Sequence, residues 1–595
     1  MTRPVSPHPH DPRSARHPRH PRHPRNPRNP SRPRASGIAP PWPLAAGLAA
    51  LLAILVAWPV TILVVQSVAP RILEGRLDGL FDPWRRMATT EGLPELILGS
   101  LRWALAATAL ATLLGVPSGY LLARTDLRGR SLARMLVLVP LLTPPYVLAI
   151  AWILLMQPSG TGDALLGRLG PAGAAAMDLA RPMFFSFWGI AFVMALAAFG
   201  YVALAVENAL LAIPLRLELA AESLGAGRLR VLLRIVLPLL LPAIANAALL
   251  VFLDAISNFG IPAVLGPRTG VLLLPAEIYQ LATSWPVDLP LATALSSLLL
   301  AMAVVALAVN RTLLRGRVAE GGRGPGGLGA RRRLGALGQL AAWAWFALIA
   351  LAGTLLPAAA ILSTSVLGDW IDGQRTLTLA HWRALVTPGA GAATALWTSL
   401  WLGAVAASAC VAIGAPIAWL SVRGAGRLAP ILDALGTLPR VLPKLVVAVG
   451  LILAWNAPWV PVPVYGTAAI LLVAYVALYL SDALRLGDAA MRQVPARLEL
   501  AAATLGATRR RIAARIVLPL VAGGLIAAWA TTFVACLRDL VASVMLLPPG
   551  METAGSFIFS RFEQGELGEA MAMSAAVSAA GLVVLVAVQR LVGRR

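Results

Sequence analysis

Runs of about 20 apolar residues, the length a helix needs to cross a bilayer, recur along this chain. They lie near 43–68, 97–122, 135–157, 184–211, 236–258 and 288–312, and again near 339–366, 394–421, 432–456, 464–485, 517–537 and 570–590. Hydrocarbon offers no partner to a free backbone N–H or C=O, so unbroken apolar runs of this length commit the chain to helices. Composition agrees, with 58% hydrophobic residues and only 13% charged, against about 25% charged in soluble domains. The expected fold class is an all-α polytopic membrane protein with about 12 transmembrane helices.

The net charge of +23 does not point to nucleic acid, because the arginines sit in short connections between apolar runs. Arg124, Arg128, Arg130 and Arg134 follow the second run, and Arg216, Arg228, Arg230 and Arg234 follow the fourth. Arg315, Arg317 and Arg331 to Arg333 follow the sixth, while Arg594 and Arg595 end the sequence. All fall on the side of the amino-terminal tail, so the positive-inside rule places both termini in the cytoplasm. Residues 1–40, with the tandem "RHPRHPRHPRNPRNP", read as a disordered basic tail or as sequence upstream of the true start. Five of the six histidines are there, which invites a metal-binding reading, but that segment offers no fixed ligand geometry. Cys410 and Cys536 lie in apolar runs and indicate no disulfide, zinc or redox site, so no metal site is expected.

The two sets of six runs match each other. Ser100, Gly115, Pro117, Pro140 and Pro144 recur as Ser399, Gly414, Pro416, Pro439 and Pro443, each 299 positions later. Further on the offset is 281, with Pro214, Glu218, Gly225, Pro238 and Phe252 recurring as Pro495, Glu499, Gly506, Pro519 and Phe533. Six is even, so both halves enter the membrane the same way round, as a parallel repeat with a pathway expected between them. The halves are 41–314 and 339–595, joined by a Gly/Arg-rich cytoplasmic linker over 315–338.

The strongest match is "RLELAAESLGAGRLRVLLRIVLPL" from Arg216 with "RLELAAATLGATRRRIAARIVLPL" from Arg497. Pro214 and Pro495 close a preceding span, two turns of helix follow, and Gly225 or Gly506 suits a left-handed helix end. A second short helix then leads to Pro238 or Pro519, where the next span begins. An interfacial amphipathic segment explains the arginines. It does not explain why Ala220–Ala221 and Ala501–Ala502 stand at the same distance from the glycine in both copies.

These loops resemble those of the membrane-spanning subunits of binding-protein-dependent ABC importers, in which a Glu-Ala-Ala…Gly…Ile-x-Leu-Pro loop forms a coupling helix seated on the ATPase subunit. The resemblance implies the type I ABC importer transmembrane fold, with Glu218, Ala220, Ala221, Gly225 and Pro238 in one loop and Glu499, Ala501, Ala502, Gly506 and Pro519 in the other. Here the glutamate stands one place earlier than in that pattern. "VLVPLLTPPYVLAIAWILL", "FLDAISNFGIPAVLG" and "CLRDLVASVMLLPPGMETAG" resemble fused permeases of ferric iron uptake. The superfamily also includes importers of thiamine, polyamines, sulfate and phosphonates. The partners so implied are two ATPase subunits, a periplasmic substrate-binding protein and the lipid bilayer. A phosphate-binding loop of the Walker type needs a lysine, and the only one, Lys444, lies in "LPKLV". ATP and Mg therefore belong to the partner, and no cofactor or catalytic residue is expected in this chain.

Ionisable groups inside spans face a cavity or a partner. The candidates for a pathway are Thr143, Tyr146, Asp254, Asn258, Arg440, Lys444, Arg538 and Asp539, drawn from the third, fifth, ninth and eleventh runs. The alternative is that Arg538–Asp539 is a neutralising pair and that Arg440 and Lys444 snorkel to an interface. If Arg440 and Lys444 do line the route they oppose a bare trivalent cation and favour an anion, which keeps an anionic substrate as the principal alternative to ferric iron. A 12-span secondary transporter of the major facilitator type is the other class, and it needs no ATPase.

Overall fold

A computed structural model describes residues 42–314, 331–371, 374–423, 428–461 and 464–593. The tail 1–40, most of the 315–338 linker and the terminal Arg594 and Arg595 lie outside the described residues. In the first half the principal helices are α1 (Pro43–Val68), α2 (Leu93–Arg124), α3 (Arg130–Leu142), α4 (Pro145–Met156) and α5 (Phe187–Ala212). They are followed by α6 (Arg216–Ser223), α7 (Leu229–Ile256), α8 (Gly260–Thr269), α9 (Leu274–Thr283) and α10 (Leu289–Leu313). The second half repeats them in order as α11 (Ala336–Ser365), α12 (Gly391–Arg423), α13 (Ala429–Arg440), α14 (Lys444–Trp455) and α15 (Ala468–Gln493). It continues with α16 (Ala496–Thr504), α17 (Arg510–Leu537), α18 (Val541–Met545), α19 (Ala554–Gln564) and α20 (Leu567–Leu591). Among the described residues the only sheet is a two-stranded hairpin, Leu367–Ile371 with Gln374–Leu377.

Ten of these helices are long and apolar enough to cross a bilayer. The third run of each half is not a straight span, contrary to the sequence reading. α3 and α4 meet at 96°, and α13 and α14 at 108°. Pro144 and Pro145 lack N–H groups and hold Thr143 out of the helical region, at ψ 131°. Pro443 turns the chain in the second half, at ψ 129°. A third bent pair, α8–α9 at 99°, fills a stretch that hydropathy assigns to a loop, because each arm of ten residues is too short to span.

Among the described residues four π-helical turns occur, at Ala53–Ala57, Leu232–Val236, Leu351–Leu355 and Ala513–Val517. Each ends two residues before a proline: Pro59, Pro238, Pro357 and Pro519. A proline ring clashes with the carbonyl four residues back, and a widened turn moves that carbonyl aside. This corrects the expectation of a separate short helix before Pro238, since the chain from Leu229 continues through its π turn to Ile256 as one element.

Within each half the closest helix pair is α2 with α5, and α12 with α15. Small residues let the first pair approach: a Cβ on Gly119 would lie 2.5 Å from the Ala203 carbonyl oxygen. Ser100 is buried because its hydroxyl accepts from the Leu274 N–H at 2.7 Å, satisfying the start of α9. Ser399 does the same for Ala554 at the start of α19, also at 2.7 Å, which gives a physical reason for the serine's recurrence. The first helix of each half crosses to the other half, α1 packing on α14 and α11 on α4. The broken helices are thus clamped between the two halves.

Candidate functional site

At the polar end of α2 and α12 the doubled loop has the same build in both halves. α6 ends at Gly225, φ +82°, and α16 at Gly506, φ +77°. The Ala226 N–H reaches the Ala221 carbonyl and Gly225 N–H the Glu222 carbonyl, both at 3.0 Å. Ala507 to Ala502 at 3.1 Å and Gly506 to Ala503 at 3.0 Å repeat this. It is a Schellman end, which requires the left-handed glycine. Beyond that turn Leu224 and Leu505 stand out, each 88% exposed. Leu217, Leu219, Leu498 and Leu500 are also exposed, so each loop presents leucines outward from an otherwise arginine-rich surface.

The two glutamates do not face outward. Glu218 is 2% exposed and lies against Arg124, the last residue of α2, with Nε 2.9 Å from Oε1. Glu499 is 7% exposed and accepts from Arg423 Nε at 2.7 Å. One helical residue is a rotation of about 100°, so a glutamate one place early points inward while Leu219 or Leu500 takes the outward position. Both carboxylates thus face arginines inside the chain.

A second cluster lies at the breaks between the halves. The Arg538 guanidinium, at the end of α17, donates to the Thr143 carbonyl oxygen of the first half at 3.0 Å. That carbonyl precedes the start of α4 and is left over by the proline break. Asp539 is 3% exposed; it accepts from the Tyr479 hydroxyl at 2.7 Å and from the Ala542 N–H at 2.8 Å. Asn258 holds the equivalent place, accepting from the Ile261 N–H at 3.0 Å. Both therefore start the short helices α8 and α18 after a break. Arg538 and Asp539 thus turn to different partners and form no pair with each other.

Lys444 donates to Tyr479 at 3.3 Å and sits 5.0 Å from that ring's centroid. Arg440 pairs with Asp482 at 3.4 Å. Asp254 lies within α7 and has no hydrogen-bonded side-chain partner among the described residues. Tyr146 is buried beneath the cluster with its hydroxyl unpartnered. Arg440, Lys444 and Arg538 thus gather with the carboxylates of Asp482 and Asp539 where the broken helices of the two halves face each other. Asp482 and Tyr479 escaped the sequence scan, although an aspartate inside the apolar run of α15 is visible by the criterion that picked out Asp254. On the face opposite the doubled loops a cavity of about 300 Å³ opens between the halves, with Gln157 and Thr161 on one side and Thr364, His381, Glu566 and Glu569 on the other. Among the described residues no group of three or more His, Cys, Asp or Glu could hold a metal ion.

Residues 115–317 match the family of binding-protein-dependent transport system inner membrane components. Over 474 residues, 78% of this chain, it is 27% identical to a ferric transport system permease protein of Actinobacillus pleuropneumoniae, covering 66% of that protein. A putative ferric transport system permease protein of Haemophilus influenzae is 26% identical over 477 residues, which is 78% of this chain and 72% of the relative. The chain thus spans about two thirds of the length of these relatives. A molybdenum transport system permease protein of Mycobacterium tuberculosis is 33% identical over 226 residues, 37% of this chain and 80% of the relative.

Proposed function

The chain belongs to the family of inner-membrane components of binding-protein-dependent transport systems, and from that premise we propose that it is a two-half permease of an ATP-driven importer of ferric iron. Its multi-pass body places it in the inner membrane. The observation that carries the iron reading is the extent of likeness. The ferric transport permeases align over both halves, whereas the molybdenum permease aligns over a stretch the size of one half.

In this reading a substrate-binding protein docks on the face with the 300 Å³ cavity. Two ATPase subunits dock on the leucine-faced loops, one per half, with both termini on that cytoplasmic side. ATP and Mg are bound by those partners, in keeping with the single lysine at 444. The permease hydrolyses nothing; it moves substrate between the halves past Asp254, Arg440, Lys444 and Arg538. Asp482 on Arg440 and Asp539 beside Tyr479 lessen the opposition that Arg440 and Lys444 alone would present to a trivalent cation.

The cations also support a second reading, an oxyanion such as molybdate, which matches the substrate in the name of the half-length relative. Transport by the permease with its binding protein and ATPase in proteoliposomes separates the two. Accumulation of radiolabelled ferric iron, unaffected by excess molybdate, is expected. Accumulation of molybdate without iron would replace the first reading by the second.

A further inference from the structure

Each loop meets the arginine that ends the second span of its half, Arg124 buried and Arg423 partly exposed, and the first loop is also held by Arg332 on Glu222. Arg124 faces Glu218 and also donates from Nη2 to the Ile213 carbonyl oxygen at 3.0 Å. Arg423 bonds Glu499 and donates from Nη2 to the Val494 carbonyl oxygen at 2.9 Å. One guanidinium therefore joins three elements: the end of the second span, the chain leaving the fourth, and the coupling helix. The same three elements are joined in both halves, through a hydrogen-bonded pair in the second and a close ion contact in the first, on residues more than seventy positions apart. A buried ion pair adds little net stability, because desolvation offsets much of its attraction. A planar fork holding two acceptors does fix direction, which a lysine or an apolar contact cannot do.

We propose that Arg124 and Arg423, through Glu218 and Glu499, are the positioning residues that make each coupling helix move as one body with the spans behind it. Displacement of a docked ATPase is then passed to α2 and α5 in one half and to α12 and α15 in the other. Without the fork the short helix can tilt on its glycine turn while the spans stay still. This rests on the reading of the chain as an ATP-driven permease.

The test uses the whole transporter in proteoliposomes and reads substrate accumulated per ATP hydrolysed. E218Q/E499Q keeps shape and removes the charge at both struts. Its ratio is expected to fall about tenfold, within the usual range of coupling between sites, while the ATPase still copurifies. R124K/R423K keeps both charges but cannot hold carboxylate and carbonyl together, and a smaller fall of roughly threefold is expected. If the glutamine variant fails to assemble, the lysine variant decides alone. A ratio within twofold of the unmodified transporter, including the case where uptake and hydrolysis drop together, would mean that the pairs are only structural and would overturn the proposal. An unmodified permease that copurifies with no ATPase overturns the importer reading itself, and the struts with it.

Discussion

Valine at both Gly225 and Gly506 is expected to disconnect ATP hydrolysis from uptake while leaving the twelve-run membrane body inserted and assembled. Both glycines have open space around the position of an added Cβ, so packing is not the obstacle. The obstacle is conformation, since φ of +82° and +77° is strained for any residue with a Cβ. The cost is roughly 1–2 kcal/mol per residue, and more for a β-branched side chain. Escape from that strain unmakes the Schellman turn and with it the placing of Leu224 and Leu505. One to two kcal/mol corresponds to a factor of roughly 5–30 in the population of the correct loop. With both loops affected, uptake per ATP should fall at least tenfold, and each single variant should fall between. Normal uptake by G225V/G506V would show that these loops do not carry the coupling.

Arg538→Gln should lower transport per assembled complex by roughly tenfold, because the residue sits at the centre of the inter-half cluster. Its guanidinium satisfies the carbonyl that the Pro144–Pro145 break leaves over, and it does so across the boundary between halves. A carbonyl buried without a partner costs about 1–3 kcal/mol. The neutral side chain also removes one of the cations gathered at the breaks. Both changes act on the surface that must part for substrate to pass, so the unchanged coupling loops should still bind the ATPase. Thermal melting and uptake measured on the same preparation check this. A lowered melting temperature with unchanged transport per folded complex would assign Arg538 a structural role only.

Much of this architecture is legible in the sequence because its determinants are local or repeated. Ten of the twelve runs, the offsets of 299 and 281, and the glycine after each "LELAA" stretch survive in the structure as matched elements. What hydropathy misses is direction. A window sums composition, so it reads 135–157 as one span although two prolines turn the chain by 96° inside it. The arms of α8 and α9 are invisible to the same window because neither is long enough to span. Long-range pairing is the other gap. Arg124 was legible as a positive-inside arginine, yet its partner Glu218 lies 94 positions away, and only the packed structure brings them together. Glu207 gives a further case. It is 1% exposed at the end of α5, held by Arg130 at 2.8 Å, and so accounts for one of the loop arginines without any lipid headgroup.

The central claim is that this permease works through separate ATPase subunits seated on two equivalent loops. It is tested most directly by purifying the chain with its ATPase and binding protein and following uptake into proteoliposomes with ATP supplied to the loop side. The account predicts a stable complex and uptake that requires ATP and survives collapse of the proton gradient. A chain that never associates with an ATPase, and whose uptake persists without ATP but stops when the proton gradient is dissipated, would contradict it and identify a secondary transporter instead.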